Sequence, residues 1–359
     1  MHRSLTVVAA VIRDDAEPDP ARRYKMVYQY FPDQTDPPIA EYGRVPSLAC
    51  AVSPDGLAWT VTAIPFVNQF VEHCALIRHG GKYIVHYQVF RGAAWSGAYT
   101  EGGGKQGRTG VTRSTFDFDR WPDLWELAFA LPEPRDQVHL GVGAASLGNV
   151  CLGLYGLWHD RADFGEINGD LGLVVSNDGI RFREPAPGRV FIHRDQSPAT
   201  PVPGHDFNTI LCQGNGILNV GDETRIYHGR WRNVGQKAAD IAAYYRGEVA
   251  LATLPRDRWG AVGLNPGTSE GTVCSAPVAL PTGGCEILLN ADVASVMRVE
   301  LLDEQFKPLA GFCGADSGTL DADGGLDCLV KWPKADLASL AGRKVLLVVH
   351  LKKAGDEQP

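Results

Sequence analysis

The sequence of 359 residues contains no run of 18 apolar residues, so no membrane-spanning helix is predicted. It also lacks a basic excess. Lys and Arg number 34 against 42 Asp and Glu, a formal charge of −8, which argues against the basic stripe a nucleic-acid partner requires. There is no H-E-x-x-H and no Cys/His cluster at ligand spacing, so no metal centre and no cofactor are expected. The glycine-rich run before Arg108 lacks the spacing of a phosphate-binding loop, and G-x-S-x-G is absent, which disfavours an α/β-hydrolase mechanism. None of the eight cysteines forms a C-x-x-C pair, and Cys50, Cys74, Cys151 and Cys212 sit inside apolar runs. Buried free thiols in a reducing cytoplasm are therefore expected, with secretion the alternative; Cys313 and Cys328 lie close enough in sequence to bridge. The opening "MHRSLTVVAAVIRDD" mimics a signal peptide, but its apolar core is short. Arg13, Asp14 and Asp15 stand where a small-residue cleavage site belongs, so it reads as a β-strand.

Long helical periodicities are hard to find, while glycine (41) and proline (23) are plentiful, the composition of turn-rich β structure. "AVSPDGLAWT" at 51–60 recurs as "VVSNDGIRFRE" at 174–184, more loosely as "TRSTFDFDRW" at 112–121 and "LATLPRDRWG" at 251–260. The serines fall at 53, 114 and 176, and Thr253 follows after a longer gap. Apolar pairs precede each copy, three of them with a glycine turn (His79-Gly80-Gly81, Leu147-Gly148-Asn149, Val220-Gly221-Asp222) that signals a hairpin. Each unit thus holds about four strands in roughly 60 residues, the pattern of a β-propeller blade. Asp-Gly supplies a tight turn, and the serine and aspartate side chains satisfy nearby backbone donors. Asp55 and Asp178 read as turn-builders, with the following aromatic packing between blades. These units occupy 1–268; from 269 to 359, short strands such as "CEILLNADV" and "KVLLVVHL" indicate a β-sandwich, with one helical turn at "KADLASLAG".

The blade motifs, "GKYIVHYQV", "LATLPRDRW" and the tail from "GTVCSAP" to "KVLLVVHL" resemble bacterial proteins like the glycosyl hydrolase family 32 N-terminal domain. These belong with the propeller glycosidases of families 32, 43, 62 and 68. The resemblance implies an all-β chain, a five-bladed β-propeller followed by a C-terminal β-sandwich. Relatives usually carry a further segment before the part matching "TVVAAVIRDD". Four units are visible, so a fifth blade is either assembled from the ends of the propeller segment or absent.

The resemblance further implies carboxylates at the innermost strands, lining an axial funnel: a base or nucleophile, a general acid, and an acid that orients the sugar. Paired carboxyls cleave a glycosidic bond with retention at about 5 Å separation and with inversion at about 6.5–9.5 Å. Candidates precede the first strand of a unit: Glu72 and His73, Asp136 and His139, His205 and Asp206. The loop "HDRADFGEINGDLGL" adds His159, Asp160, Asp163, Glu166 and Asp170. Glu72, Asp206, Asp170 and Glu166 are the catalytic candidates, weighed against plain turn and surface acids. His73, Trp95, Arg108, His139, His205, Arg230 and Trp231 are candidates for gripping sugar, the tryptophans by stacking and the arginines by bidentate hydrogen bonds. The expected activity is glycoside hydrolysis on an oligosaccharide or polysaccharide, with no nucleic-acid or membrane partner and homo-oligomerisation left open. A non-catalytic carbohydrate-binding propeller, a protein-interaction scaffold and a glycoside phosphorylase are the alternatives.

Overall fold

A computed structural model of the chain describes residues 9–30, 47–66, 72–90, 108–131, 137–159, 167–232 and 244–353. It is all-β, and it divides into two compact units: Met1–Leu218 with Arg225–Ala252, and Asn219–Thr224 with Thr253–Pro359.

In the first unit, β1 (Ala9–Arg13), β2 (Tyr24–Tyr30), β3 (Ser47–Ser53) and β4 (Thr60–Phe66) form an antiparallel meander. The pattern repeats in β5 (Glu72–His79), β6 (Lys82–Phe90), β7 (Arg108–Thr115) and β8 (Glu126–Phe129). It repeats again in β9 (Gln137–Leu147), β10 (Val150–His159), β11 (Asn168–Ser176) and β12 (Val190–Ile192). In the fourth group, β13 (Thr209–Cys212) and β14 (Ile217–Val220) both pair with β15 (Glu223–Arg232), which also pairs with β16 (Arg246–Pro255).

Adjacent sheets bury their faces against each other. Val27, Leu48 and Val52 of the first sheet share a core with Leu76, Val85 and Val111 of the second. Ile77, Ile84 and Ala128 of the second meet Val138, Tyr155, Val174 and Phe182 of the third. The third and fourth groups instead join edge to edge in one eight-stranded sheet, through the parallel pairing of Gly169 in β11 with Ile210 in β13, where Trp158 and Ile167 pack with Ile210, Cys212 and Trp231. A strand covered on both faces must be apolar at every position, and β10, "VCLGLYGLWH", is buried almost throughout. The segment after β13 touches the first strand of each of the other three groups. Asn215 accepts from the Leu76 N–H (3.2 Å) and donates to the carbonyls of Leu76 (2.9 Å) and Val11 (3.5 Å). A Cβ at Gly143 would lie 2.6 Å from the Gly214 carbonyl oxygen, so β9 touches the same segment.

The recurring turn is built the same way twice. Ser53 Oγ accepts from the Gly56 N–H (2.9 Å) and donates to Asp55 Oδ1, which accepts from the N–H groups of Leu57 (2.8 Å) and Ala58 (2.9 Å). Ser176 and Asp178 repeat this circuit with Gly179, Ile180 and Arg181. In the second sheet the position falls on Thr115, not Ser114. Thr115 Oγ1 accepts from the Asp117 N–H (3.1 Å), because β7 runs one residue further before turning. Asp178→Ala removes the acceptor of two backbone N–H groups and is expected to destabilise the first unit by about 1–2 kcal/mol, read from urea denaturation; an unchanged midpoint would refute the assigned role.

In the second unit, β23 (Lys344–Lys352) pairs with β17 (Glu270–Cys274), β18 (Val278–Ala279) and β20 (Arg298–Leu302). β22 (Gly324–Lys331) lies between β19 (Leu288–Asp292) and β21 (Thr319–Leu320). Leu280, Val299, Leu301, Phe312, Val330 and Val345 form a shared core. The helical turn expected in "KADLASLAG" is a 3-10 turn, Leu337–Leu340, whose Ala338 N–H is capped by Asp336. Among the described residues, Cys313 and Cys328 are both free thiols, while Cys50, Cys151 and Cys212 are buried. Burial pushes the thiols of Cys50 and Cys151 up to about 12. No described helix is long and apolar enough to cross a membrane.

Candidate functional site

A meander alternates direction, so the Ser-x-Asp-Gly turns lie at one end of the first unit and the starts of β5, β9 and β13 at the other. The catalytic and sugar-gripping candidates that are described all fall on this second, strand-start end. Asp170 is the most tightly held. It is the third residue of β11, opposite Leu157 of β10, and is buried. Its Oδ2 accepts from His159 Nε2 (2.9 Å) and the Arg194 guanidinium (3.0 Å), and its Oδ1 accepts from the Arg194 backbone N–H (2.8 Å). His193 Nε2 lies 3.8 Å from Oδ1. Burial alone would raise the pKa of Asp170. The His159 hydrogen bond, the Arg194 N–H and the charges of Arg194 and His193 outweigh it and hold the carboxyl below its ordinary value. Asp170 is thus an ionised acceptor with both oxygens engaged, suited to orienting its neighbours and unsuited to donating a proton.

On the other face of the β10–β11 pair, where Trp158 lies across from Gly169, is an aromatic and cationic group. The His139 ring stacks on Trp158, with centroids 3.6 Å apart, and meets Trp231 edge-on at 5.6 Å. The Arg108 guanidinium sits 5.2 Å from the Trp158 ring centre. Gly169 faces Trp158 across the β10–β11 pair, and a Cβ there would lie 2.9 Å from the indole. Burial, and secondarily the charge of Arg108, pushes His139 well below its ordinary pKa, so the imidazole is neutral. Its Nδ1 is buried and has no hydrogen-bond partner among the described residues.

A bulge sets the His139 ring. Tyr155 pairs with Val142 and Gly156 with His139, leaving Leu140 and Gly141 as extra residues in β9. Leu140 takes the left-handed conformation (φ 61°), which only supporting contacts make tolerable. Gln88 from the second sheet accepts from the Leu140 N–H (2.6 Å). Gln213 from the fourth donates to the carbonyls of His139 (2.5 Å) and Gly141 (2.8 Å).

The segment between β12 and β13 carries His205 and Asp206. It is pinned at Arg194 by Asp170, and again at Pro198 and Thr200. Arg230 donates to the Pro198 carbonyl (3.0 Å) and pairs with Glu248 (3.0 Å), whose carboxylate accepts from the Thr200 N–H (3.2 Å). Arg232 donates to the Thr200 carbonyl. Arg230 is therefore already engaged in holding this loop. The His205 ring stacks parallel to Phe207 at 5.2 Å and lies 4.4 Å from Tyr244, and Asp206 is exposed.

Glu72 and His73 open β5 in register with Gln88 and Tyr87, on the same end; their side chains lie outside the described residues. Trp95, Asp136, Asp160, Asp163 and Glu166 also lie outside them. Sequence reasoning missed Trp158, Arg194, Glu248, Gln88 and Gln213. Trp158 closes the apolar run of β10, a faint signal; the others act through partners distant in sequence. At the opposite end, a depression of about 450 Å³ is lined by Arg13, Asp14, Asp15, Arg78 and His79. Its arginines are engaged in ion pairs, Arg13 with Asp15 (2.8 Å) and Arg78 with Asp14 (2.6 Å). No group of metal-ligating side chains occurs among the described residues.

No family model and no curated protein matches the chain. Among solved structures, it is similar to a BT0996 RGII complex, at 11% identity over 99% of this sequence and 90% of that one, with a TM-score of 0.44. It is similar to an N-acetylgalactosamine deacetylase from F. plautii in complex with blood group B trisaccharide, at 14% identity, 97% and 89% coverage and a TM-score of 0.42. A third is the Bombyx mori GH32 β-fructofuranosidase BmSUC1, at 11% identity, 97% and 78% coverage and a TM-score of 0.35.

Proposed function

We propose that the chain is a carbohydrate-active protein, a glycoside hydrolase of the propeller type with a β-sandwich over 269–359, acting at the strand-start end of its first unit. The observation that carries this reading is the gathering of Arg108, His139, Trp158 and Trp231 at that end, on the face of the β10–β11 pair opposite the ionised carboxylate of Asp170. The half-buried Trp231 indole can cover the apolar face of a sugar ring and the half-buried Arg108 guanidinium can bond its hydroxyls, with the buried His139 and Trp158 holding them in place. In this reading Asp170 orients the segment that carries Asp206. Glu72 and Asp206 supply the acid–base pair, both carried on segments at the same end.

The test is product release from a panel of oligosaccharides, followed by chromatography, for the wild type, Glu72→Gln and Asp206→Asn. Each substitution is expected to lower turnover at least about 100-fold with the circular dichroism spectrum unchanged. Full activity in both variants would sink the assignment. A carbohydrate-binding propeller without catalysis is the second reading, favoured by the complete engagement of the Asp170 oxygens; binding without product would select it.

A further inference from the structure

The second unit carries a polar row that the first unit's chemistry does not use. Paired residues on neighbouring strands point to the same face of a sheet. Thr272 of β17 pairs with His350 of β23, and His350 pairs with Arg298 of β20. The bridge between Val299 and Gly318 sets Arg298 beside Thr319, and Thr319 pairs with Lys331 of β22. Thr272, His350, Arg298, Thr319 and Lys331 therefore form one line across five chain segments, about 19 Å long at the ordinary strand spacing. The alternate face is the core, where Val299 and Val330 are buried.

The end of this line is shaped. A cleft of about 320 Å³ is lined by Arg298, Ser317, Thr319, Lys331 and Trp332. Trp332 is fixed edge-to-face against Phe312 at 5.6 Å and lies against Gly318, where a Cβ would come within 2.8 Å of the indole. Arg298 is held by backbone carbonyls, donating to Met297 O (2.7 Å) and Ser295 O (3.4 Å). Among the described residues no carboxylate pairs with it. The nearest acid on its strand, Glu300, is taken up by the Gly314 N–H (2.7 Å), Ser317 Oγ (3.1 Å) and His350 Nε2 (3.0 Å). Lys331 has only a long, exposed contact to Asp321 (3.5 Å).

We propose that this row is a binding site for an acidic oligosaccharide, a chain of uronate sugars. Arg298 and Lys331 take carboxylates, Thr319 and Ser317 lie among the hydroxyls, and Trp332 covers a ring face. An anionic ligand complements an unneutralised guanidinium in a chain of net charge −8. The choice of a saccharide rests on the carbohydrate reading of the first unit; the cationic row does not.

The test is calorimetric titration of the full chain with tetragalacturonate, with its methyl ester, and with an oligoglutamate of equal charge. The acid oligosaccharide is expected to bind, and Arg298→Ala and Lys331→Ala, both exposed and away from the core, each to weaken it at least tenfold. Esterification should weaken it as much. No binding by the wild type, unchanged affinity in both variants, or equal affinity for the ester or the oligoglutamate would overturn the proposal. His139→Ala, in the first unit, separates the two readings. It leaves this affinity unchanged if the row is the site, whether or not any glycan is cleaved.

Discussion

Gly141→Ala is expected to destabilise the first unit by about 3–5 kcal/mol. Two costs add. Gly141 has φ 83°, a left-handed backbone that costs an alanine about 1–2 kcal/mol. Its new Cβ would also lie 2.7 Å from the Tyr87 carbonyl oxygen and 2.8 Å from the carbonyl carbon. Both belong to the backbone of a central strand, so neither can swing aside. Gly148 is the control, because it too has a positive φ (71°) but nothing within 4 Å of an added Cβ. Gly148→Ala should cost only the conformational part, about 1–2 kcal/mol. Urea denaturation followed by tryptophan fluorescence reads both, and equal losses in the two variants would refute the close approach.

Asp170→Ala is the second. It leaves the His159 and Arg194 side chains, both partly exposed, and the Arg194 N–H without their acceptor, and breaking such a group costs about 1–3 kcal/mol. The loop from His193 to Asp206 loses its first anchor, so limited proteolysis should cut within it. The pH dependence has a definite sign. The folded pKa of Asp170 lies below its unfolded value, so its stabilisation is complete above about pH 4 and declines as pH falls through the folded value. The stability gap between wild type and Asp170→Asn should therefore be large at pH 7 and shrink towards pH 3. A gap that stays constant down to pH 3 would mean that the charge of Asp170 is not what holds the loop.

Local chemistry makes much of the fold readable from the sequence. Ser53–Asp55–Gly56 and Ser176–Asp178–Gly179 close their own turns with partners two or three residues away, so the motif and the structure coincide. The glycine hairpins after β5 and β9 are likewise local. The second turn is off by one residue because Ser114 satisfies the pattern as well as Thr115 does, and only the length of β7 decides between them. That the described candidate residues share one end is also readable, since strand order follows from the repeats. The partners are not. In the sequence Arg230 is free to grip a sugar, but Glu248 on the next strand and the Pro198 carbonyl already occupy it. Gln88 and Gln213 support the same bulge from positions 52 and 74 residues away from their contacts, which no spacing rule connects.

Asn215 has a consequence for how this unit reaches its native state. Its side chain reproduces a strand's hydrogen-bond pair with Leu76 across 139 residues of sequence and reaches Val11 across 204. Contacts that join such distant positions are formed late and make folding slow, because the entropy of closing the ring must be lost before the contact rewards it. The first three sheets can assemble from neighbours, each on the one before. The contacts that tie β1 and β5 to the fourth group wait until residue 215 arrives, so the unit is expected to gain its final cooperativity in a single late step.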